Sequence, residues 1–178
     1  QVYFTEDMDA DAQRRDFCFN AIYYDVRNDE LIDPLGGVRD AEMKVLRGCN
    51  KRVFESDGLR LLRLVRLAAQ LDFKIEGETA ASAKANSDKL SDITTERKRA
   101  ELDKILYADT ANGVPNAHYR VLRLMKQLDI WRNIIPEIAE MDGMAQPEQF
   151  HKFDVMEHTF RTVLYAEPIG NLRLAALL

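Results

Sequence analysis

The stretch Asp57-Gly58-Leu59-Arg60-Leu61-Leu62-Arg63-Leu64-Val65-Arg66-Leu67-Ala68-Ala69-Gln70-Leu71 decides the fold. Its apolar residues recur at Leu59, Leu62, Val65 and Ala69, which is helical spacing and predicts a helix over 57–71. Arg60, Arg63 and Arg66 stand three apart, so each step drifts about 60° around a helix and the three form one basic stripe. Between Lys44 and Arg66 the basic residues are Lys44, Arg47, Lys51, Arg52, Arg60, Arg63 and Arg66, opposed by Glu55 and Asp57. A solvated helix face accounts for such a stripe, and so does a surface for phosphates. Asp57 and Arg60, three apart, can point the same way. The carboxylate accepts from an exocyclic amine and the guanidinium donates to a ring nitrogen or carbonyl. Such a pair can read a base edge, discriminating by roughly 1–3 kcal/mol.

Toward the C-terminus the chain stays helical. Glu78 to Leu90 is a weaker, alanine-rich helix. Thr94 is a good N-cap for a helix running to Tyr107, in which Arg97 and Glu101 stand four apart. Asn116 to Leu128 carries apolar Val121, Leu122, Leu124, Met125 and Leu128. Trp131 to Ala139 reads as a short connector interrupted by Pro136, and Asp142 to Phe150 as a linker. Asp154 to Ala166 is a helix broken off by Pro168 and Gly170, and Leu172 begins another.

Toward the N-terminus the pattern changes. Val2 to Thr5 is β-prone and is followed by Glu6, Asp7, Asp9 and Asp11, read as an exposed acidic loop. No further spaced carboxylate completes an oxygen cage around that run. In Arg14-Arg15-Asp16-Phe17-Cys18-Phe19-Asn20-Ala21, a helix opened by Phe17 would set Asp16 and Asn20 on one face. Arginine suits phosphate oxygens and Asp and Asn suit hydroxyls, so the set can hold a nucleotide. An Arg-Arg-Asp ion pair capping a helix is the plainer alternative. Ile22–Val26 and Glu30–Asp33 predict a hairpin. Pro34 and Gly36-Gly37 break the chain, and Asp40 to Leu46 reads as a short helix ended by Gly48. Short connections between many helices predict a mainly α array with a small β-hairpin at its start.

Composition narrows the function classes. The 178 residues are 46% apolar and 31% charged, with a net charge of −5, so nucleic acid would have to be met by a local basic face. Cys18 and Cys49 form no CxxC pair and no disulfide framework, which reads as a reduced, cytoplasmic protein. No apolar run approaches a membrane span. Only three histidines occur, His118, His151 and His158, and one histidine cannot hold a metal. His158 lies on an amphipathic helix, as a polar surface residue or as a ligand. There is no Ser/His/Asp set with positional logic, no Gly-rich phosphate loop and no nucleophilic cysteine signature. Gln1 is no translation start and the last residues stop inside an apolar helical pattern, so the chain reads as a piece of a longer one.

Five segments in order resemble the tRNA nucleotidyltransferase / poly(A) polymerase family, class II. Arg14-Arg15-Asp16-Phe17…Asn20-Ala21 resembles its RRDFTxNA motif, and Asp33-Pro34-Leu35-Gly36-Gly37-Val38-Arg39-Asp40 its flexible DPxGGxxD segment. Ser56-Asp57-Gly58-Leu59-Arg60-Leu61-Leu62-Arg63 resembles EDxxRxxR, and Glu96-Arg97 with Glu101-Leu102 resembles ERxxxEL. His151 to Thr159 resembles the start of the HD domain of bacterial CCA-adding enzymes.

The resemblance implies a nucleotidyltransferase of which residues 1–40 close the head. Residues 41–141 would form a helical neck and body that bind nucleotide and RNA, and 142–178 would begin an HD domain. Arg15, Asp16 and Asn20 would contact the nucleotide's ribose and triphosphate. Asp57 and Arg60 would be the template pairing with cytosine or adenine, with Arg63 in support. Glu96, Arg97 and Glu101 would brace the template helix, and the Asp33–Asp40 segment would move to reorient it. His158 would be the first candidate metal ligand of the HD domain. The implied partners are CTP, ATP and the tRNA 3′ end, with no membrane, and the implied cofactor is Mg²⁺ in the head and a divalent metal in a complete HD domain. The family's DxD pair, which binds Mg²⁺, has no counterpart in these residues, so the chain alone would be inactive. Ser56 stands where the family has Glu, and Cys18 where it has Thr. An ATP-using bacterial poly(A) polymerase, a non-catalytic helical RNA-binding module and an HD phosphohydrolase are the alternatives.

Overall fold

The structure, a computed structural model, describes residues 7–145 and 153–178. The β-prone run 2–5, most of the expected linker and His151 lie outside the described residues. Helix α1 (Met8–Arg14) opens where an acidic loop was expected: the Asp7 carboxylate caps it by accepting from the Ala10 N–H at 3.1 Å, and Asp9 and Asp11 sit in its first turn, where negative charge favours a helix. A 3₁₀ turn follows at Cys18–Asn20. Strands β1 (Tyr23–Asp25) and β2 (Glu30–Ile32) pair antiparallel as the predicted hairpin, with Tyr24 opposite Leu31.

The helix expected over 40–46 is displaced. Helix α2 (Gly37–Glu42) starts earlier, because Asp33 accepts from the N–H groups of Gly37 and Val38 at 2.7 and 3.0 Å. It ends at Glu42, and Lys44 just beyond has a left-handed φ of 54°. Val45–Leu46 then forms β3, parallel to β4 (Lys74–Ile75), so β-branched Val45 serves a strand rather than a helix. Between them lie α3 (Val53–Ser56) and α4 (Leu59–Gln70).

The remaining helices are α5 (Gly77–Ala85), α6 (Thr95–Leu106), α7 (Ala108–Asn112), α8 (Ala117–Gln127), α9 (Pro136–Glu140), α10 (Val155–Tyr165) and α11 (Leu172–Leu177). The helix expected to Leu90 breaks after α5 into a 3₁₀ turn, Ser87–Asp92. Thr94 stands at the N-cap of α6 without a side-chain cap bond. Pro136 begins α9 rather than interrupting a connector, since its missing N–H costs nothing at the first helical position. Asp154 caps α10 by accepting from the Glu157 N–H at 2.7 Å. No helix among the described residues is long and apolar enough to cross a membrane.

One core holds α3 to α11, and α4 lies at its centre. Leu61, Leu62, Leu64, Val65, Ala68 and Ala69 are buried there. They belong to one cluster with Leu102 and Ile105 of α6, Val121, Leu122 and Met125 of α8, and Phe160 of α10. Trp131 donates its indole N–H to the Leu122 carbonyl at 3.1 Å and lies 5.8 Å from the Phe160 ring. Truncating a buried leucine in such a core costs about 2–5 kcal/mol.

Candidate functional site

The Arg14–Asn20 stretch and α4, more than 40 residues apart in sequence, meet at one surface. The Arg60 guanidinium donates to the Arg14 carbonyl at 2.5 Å, to Ser56 Oγ at 3.0 Å and to the Val53 carbonyl at 3.2 Å. Arg63 donates twice to Asp16 Oδ2, at 2.8 and 2.5 Å. Asp16 Oδ1 accepts from the Phe17 N–H at 2.9 Å and from Asn20 Nδ2 at 3.1 Å. Asp16 and Asn20 thus do share a face, across a 3₁₀ turn rather than an α-helix. Burial pushes the Asp16 carboxyl up, yet bonds from Asn20, Arg63 and the Phe17 N–H hold it below the ordinary 3.8. At 8% exposure, Asp16 is committed mainly to these partners.

Arg15 turns to Asp11 and Tyr23. Its guanidinium lies 3.1 and 3.0 Å from Asp11 Oδ2, which also accepts from the Tyr23 hydroxyl at 2.8 Å. The Tyr23 and Arg15 bonds lower the Asp11 pKa.

The basic stripe is not a free cationic face. Arg66 donates to Glu101 at 2.9 Å and to Gln70 at 2.7 Å, and Glu101, 3% exposed, also accepts from Lys104 at 2.7 Å. Burial raises the Glu101 pKa, but Lys104 and Arg66 hold it lowered. Arg97 pairs with Asp57 Oδ2 at 2.9 Å. Glu96 is exposed, and its carboxylate is bound by its own N–H and Thr94.

Asp57 and Arg60 are not side by side on a helix. Asp57 precedes α4 in extended backbone, with φ −158°, and its Oδ1 accepts from the Leu59 N–H at 3.0 Å. Helical spacing therefore does not govern its direction. Arg60 lines a cleft of about 490 Å³ with Gln13, Arg14, Asn50 and Arg52. Asp57 lines a neighbouring cleft of about 380 Å³ with Lys89, Asp92 and Arg97. Glu55 and Ser56 border both clefts. Between Asp57 and α4, Gly58 is required by close approach: a Cβ there would lie 2.3 Å from the Lys89 carbonyl oxygen. Gly37 is required likewise, since its Cβ would lie 2.1 Å from the Cys18 carbonyl oxygen. The Asp33–Asp40 segment is tied down further by Arg47, which donates to Asp40 at 3.0 Å and to the Leu35 carbonyl at 2.6 Å.

Three features had no signal in the sequence. Cys18 and Cys49 are buried in one small cluster, and their thiols are hydrogen-bonded. That bond lowers Cys18 and, with burial, pushes Cys49 up. Asp109, His118 and Arg173 form a second buried charge cluster. A third feature is a cleft between β4 and α8. Among the described residues, no three His, Cys, Asp or Glu side chains gather to hold a metal. His158 is exposed on α10.

Two family models match the chain: "Poly A polymerase head domain" over residues 1–47, and "Probable RNA and SrmB- binding site of polymerase A" over 72–142. A "Multifunctional CCA protein" of Xylella fastidiosa is 37% identical over 152 residues, covering 83% of this chain and 35% of that protein. A "CC-adding tRNA nucleotidyltransferase" of Geobacter sulfurreducens is 40% identical over 106 residues, covering 60% of this chain and 24% of that protein. The CCA-adding enzyme of Bacillus stearothermophilus, solved in complex with CTP, superposes with a TM-score of 0.69 at 26% identity, covering 93% of this chain and 36% of that one. The chain spans about a third or less of the length of these relatives.

Proposed function

The chain belongs to the tRNA nucleotidyltransferase / poly(A) polymerase family, and from that membership and the clefts around Arg14, Asp57 and Arg60 we propose that it is the nucleotide-selecting part of a CCA-adding enzyme. The substrates are CTP, ATP and a tRNA 3′ end. In the whole enzyme the terminal 3′ hydroxyl forms a bond to the α-phosphorus, and pyrophosphate leaves. Residues 1–40 close the head, 41–141 form the neck and body, and 142–178 begin an HD domain in which His158 is the first metal ligand.

The observation that carries this reading is the meeting of α4 with the Arg14–Asn20 stretch through Arg60 and Arg63. Arg63 and Asn20, held by Asp16, set the floor. Arg15, braced by Asp11 and Tyr23, faces the triphosphate. Asp57 and Arg60 present an acceptor and donors from adjoining clefts, and a bound base replaces part of their present ties to Arg97 and the Arg14 carbonyl. Arg97 and Glu101 hold the start and the middle of α4 in place, and Glu96 supports the start of α6.

Calorimetric titration with CTP and ATP tests the reading. The chain is expected to bind both, and Arg60→Ala to lose about tenfold or more in affinity, the scale of one bidentate base contact, alongside a modest fall in melting temperature from its lost bonds to the Arg14 and Val53 carbonyls. Unchanged nucleotide affinity in Arg60→Ala would sink it. The chain alone, without the head's DxD pair, is expected to incorporate no labelled CMP into tRNA with Mg²⁺ present.

A further inference from the structure

Two cysteines distant in sequence are brought together beside Asp16. Phe17 and Gly48 form an isolated antiparallel bridge. On either side of it, the Cys18 N–H donates to the Arg47 carbonyl at 3.0 Å and the Cys49 N–H to the Asp16 carbonyl at 3.1 Å. Side chains alternate along paired backbone, so Cys18 and Cys49, each next to a bridged residue, fall on one face of it. Both are free thiols in one small buried cluster with Ala12 and Ala21. Cys18 is 0% exposed and donates from Sγ to the Gly48 carbonyl at 3.5 Å. Cys49, 7% exposed, lies two residues before the exposed Lys51 and is the solvent-side thiol of the pair.

The two thiols differ chemically. The hydrogen bond from Cys49, then the Arg47 guanidinium, hold Cys18 below the ordinary 9.0 against burial and against the charges of Asp40 and Glu76. The bond to Cys18, then burial, push Cys49 up, so Cys49 keeps its proton. A thiolate is the nucleophile toward an oxidant, and a neighbouring thiol resolves the product. We propose that Cys18 and Cys49 are a modification site, a reversible disulfide formed by hydrogen peroxide in which Cys18 attacks and Cys49 resolves. The Cys18 sulfur bonds to one peroxide oxygen as the O–O bond breaks, giving a sulfenic acid and a hydroxide that takes the proton Cys18 released. The Cys49 sulfur then bonds to the Cys18 sulfur, the S–O bond breaks, and the oxygen leaves as water with the Cys49 proton. The two thiols lose two electrons together, and the peroxide is reduced to two waters. The bond closes residues 18–49 into a ring that contains the hairpin, α2 and β3 and leaves α4 outside. It fastens the Phe17–Gly48 bridge beside Asp16, and it depends on no reading of the clefts of Asp57 and Arg60.

Peptide mapping of the 178-residue chain after treatment with millimolar hydrogen peroxide tests it, with free thiols blocked in acid before digestion. The expected product is a monomer in which the tryptic peptides 16–27 and 48–51 are linked, and dithiothreitol should separate them. Closing that loop should raise the melting temperature of the oxidised chain by about 5 °C or more. In Cys49→Ser, oxidation should stop at Cys18 as a sulfenic acid that dimedone traps. In Cys18→Thr, Cys49 should stay unmodified over the same period. Should either variant fail to fold, the linked peptides of the parent decide by themselves. Thiols left unchanged by peroxide, a disulfide between two chains, or a sulfinic acid with no linked pair overturns the proposal. So does dimedone capture at Cys49 in folded Cys18→Thr at the parent's rate, which makes Cys49 the attacking thiol. A melting temperature that falls on oxidation overturns it too, because the bond then forms at the expense of the folded packing.

Discussion

At the start of α4, Asp57 meets Arg97 at 2.9 Å with 33% and 49% of the two side chains in water. Between α7 and α11, Asp109 meets Arg173 at 2.6 and 2.9 Å, and only 4% of the arginine side chain is exposed. Both pairs join distant segments with the same two chemical groups, and solvent separates their roles. The open pair is screened and exchangeable, so it contributes little to stability and remains available to a ligand. The sealed pair adds Arg173 bonds to the Leu106 and Ala166 carbonyls at 2.7 and 3.0 Å, fastening α11 to α6 and α7. Asp16 with Arg63 lies between them, its carboxylate buried and its guanidinium about one third exposed.

Arg173→Ala should separate the two regions most sharply. It leaves Asp109 partly buried without its main cation, and removing one partner of a buried pair costs about 3–5 kcal/mol. Urea unfolding should place Arg173→Met with Asp109→Leu nearer the parent than Arg173→Ala. A loss in Arg173→Ala no greater than that of an exposed pair would erase the contrast.

The pH response comes next. His118 is 2% exposed, and its Nδ1 lies 3.2 Å from Asp109 Oδ2 without the alignment of a hydrogen bond. Burial first, then Arg173, lowers its pKa below 6.5, against the pull of Asp109. It packs also against the backbone of Val163 and Leu164 in α10. The unfolded chain therefore binds more protons than the folded one just below pH 6.5, and His118's contribution is complete above that value and is lost as pH falls through the lowered folded value. Asp109 and Asp16, lowered from 3.8, lose theirs only in stronger acid. Stability measured by unfolding should therefore fall from pH 7 to pH 5 in the parent and stay flatter in His118→Leu. An equal slope in both would take His118 out of the sealed cluster's chemistry.

The smallest effect belongs to Arg97→Ala. An exposed pair of this kind is worth about 1 kcal/mol or less, and less still in high salt. Its melting curve should nearly overlay the parent's, while CTP affinity shifts because Asp57 loses the group that orients it. A large stability loss would place the open pair with the sealed one.

Much of this molecule could be read along the chain. The hairpin and the helices α4, α6, α8 and α10 follow from apolar periodicity and from turn residues, both of which act within a few residues. Val45 and Leu46 form a strand where a helix was expected because their partners, Lys74 and Ile75, lie 29 residues further on, beyond the reach of local pattern. The acidic run at Asp7 opens a helix rather than a loop, since Asp suits both turns and N-caps and local sequence does not choose between them.

Sequence by itself determined that a basic, leucine-rich helix belongs to a helical array, because helical periodicity and charge spacing are local properties. It also determined the order of motifs that ties the chain to its family. Tertiary structure alone decided which arginine serves which carboxylate. Arg63 went to Asp16, Arg66 to Glu101, Arg97 to Asp57 and Arg173 to Asp109. The physical reason is that an ion pair's strength and purpose depend on distance and on water, and packing fixes both only once segments 35 to 64 residues apart have met.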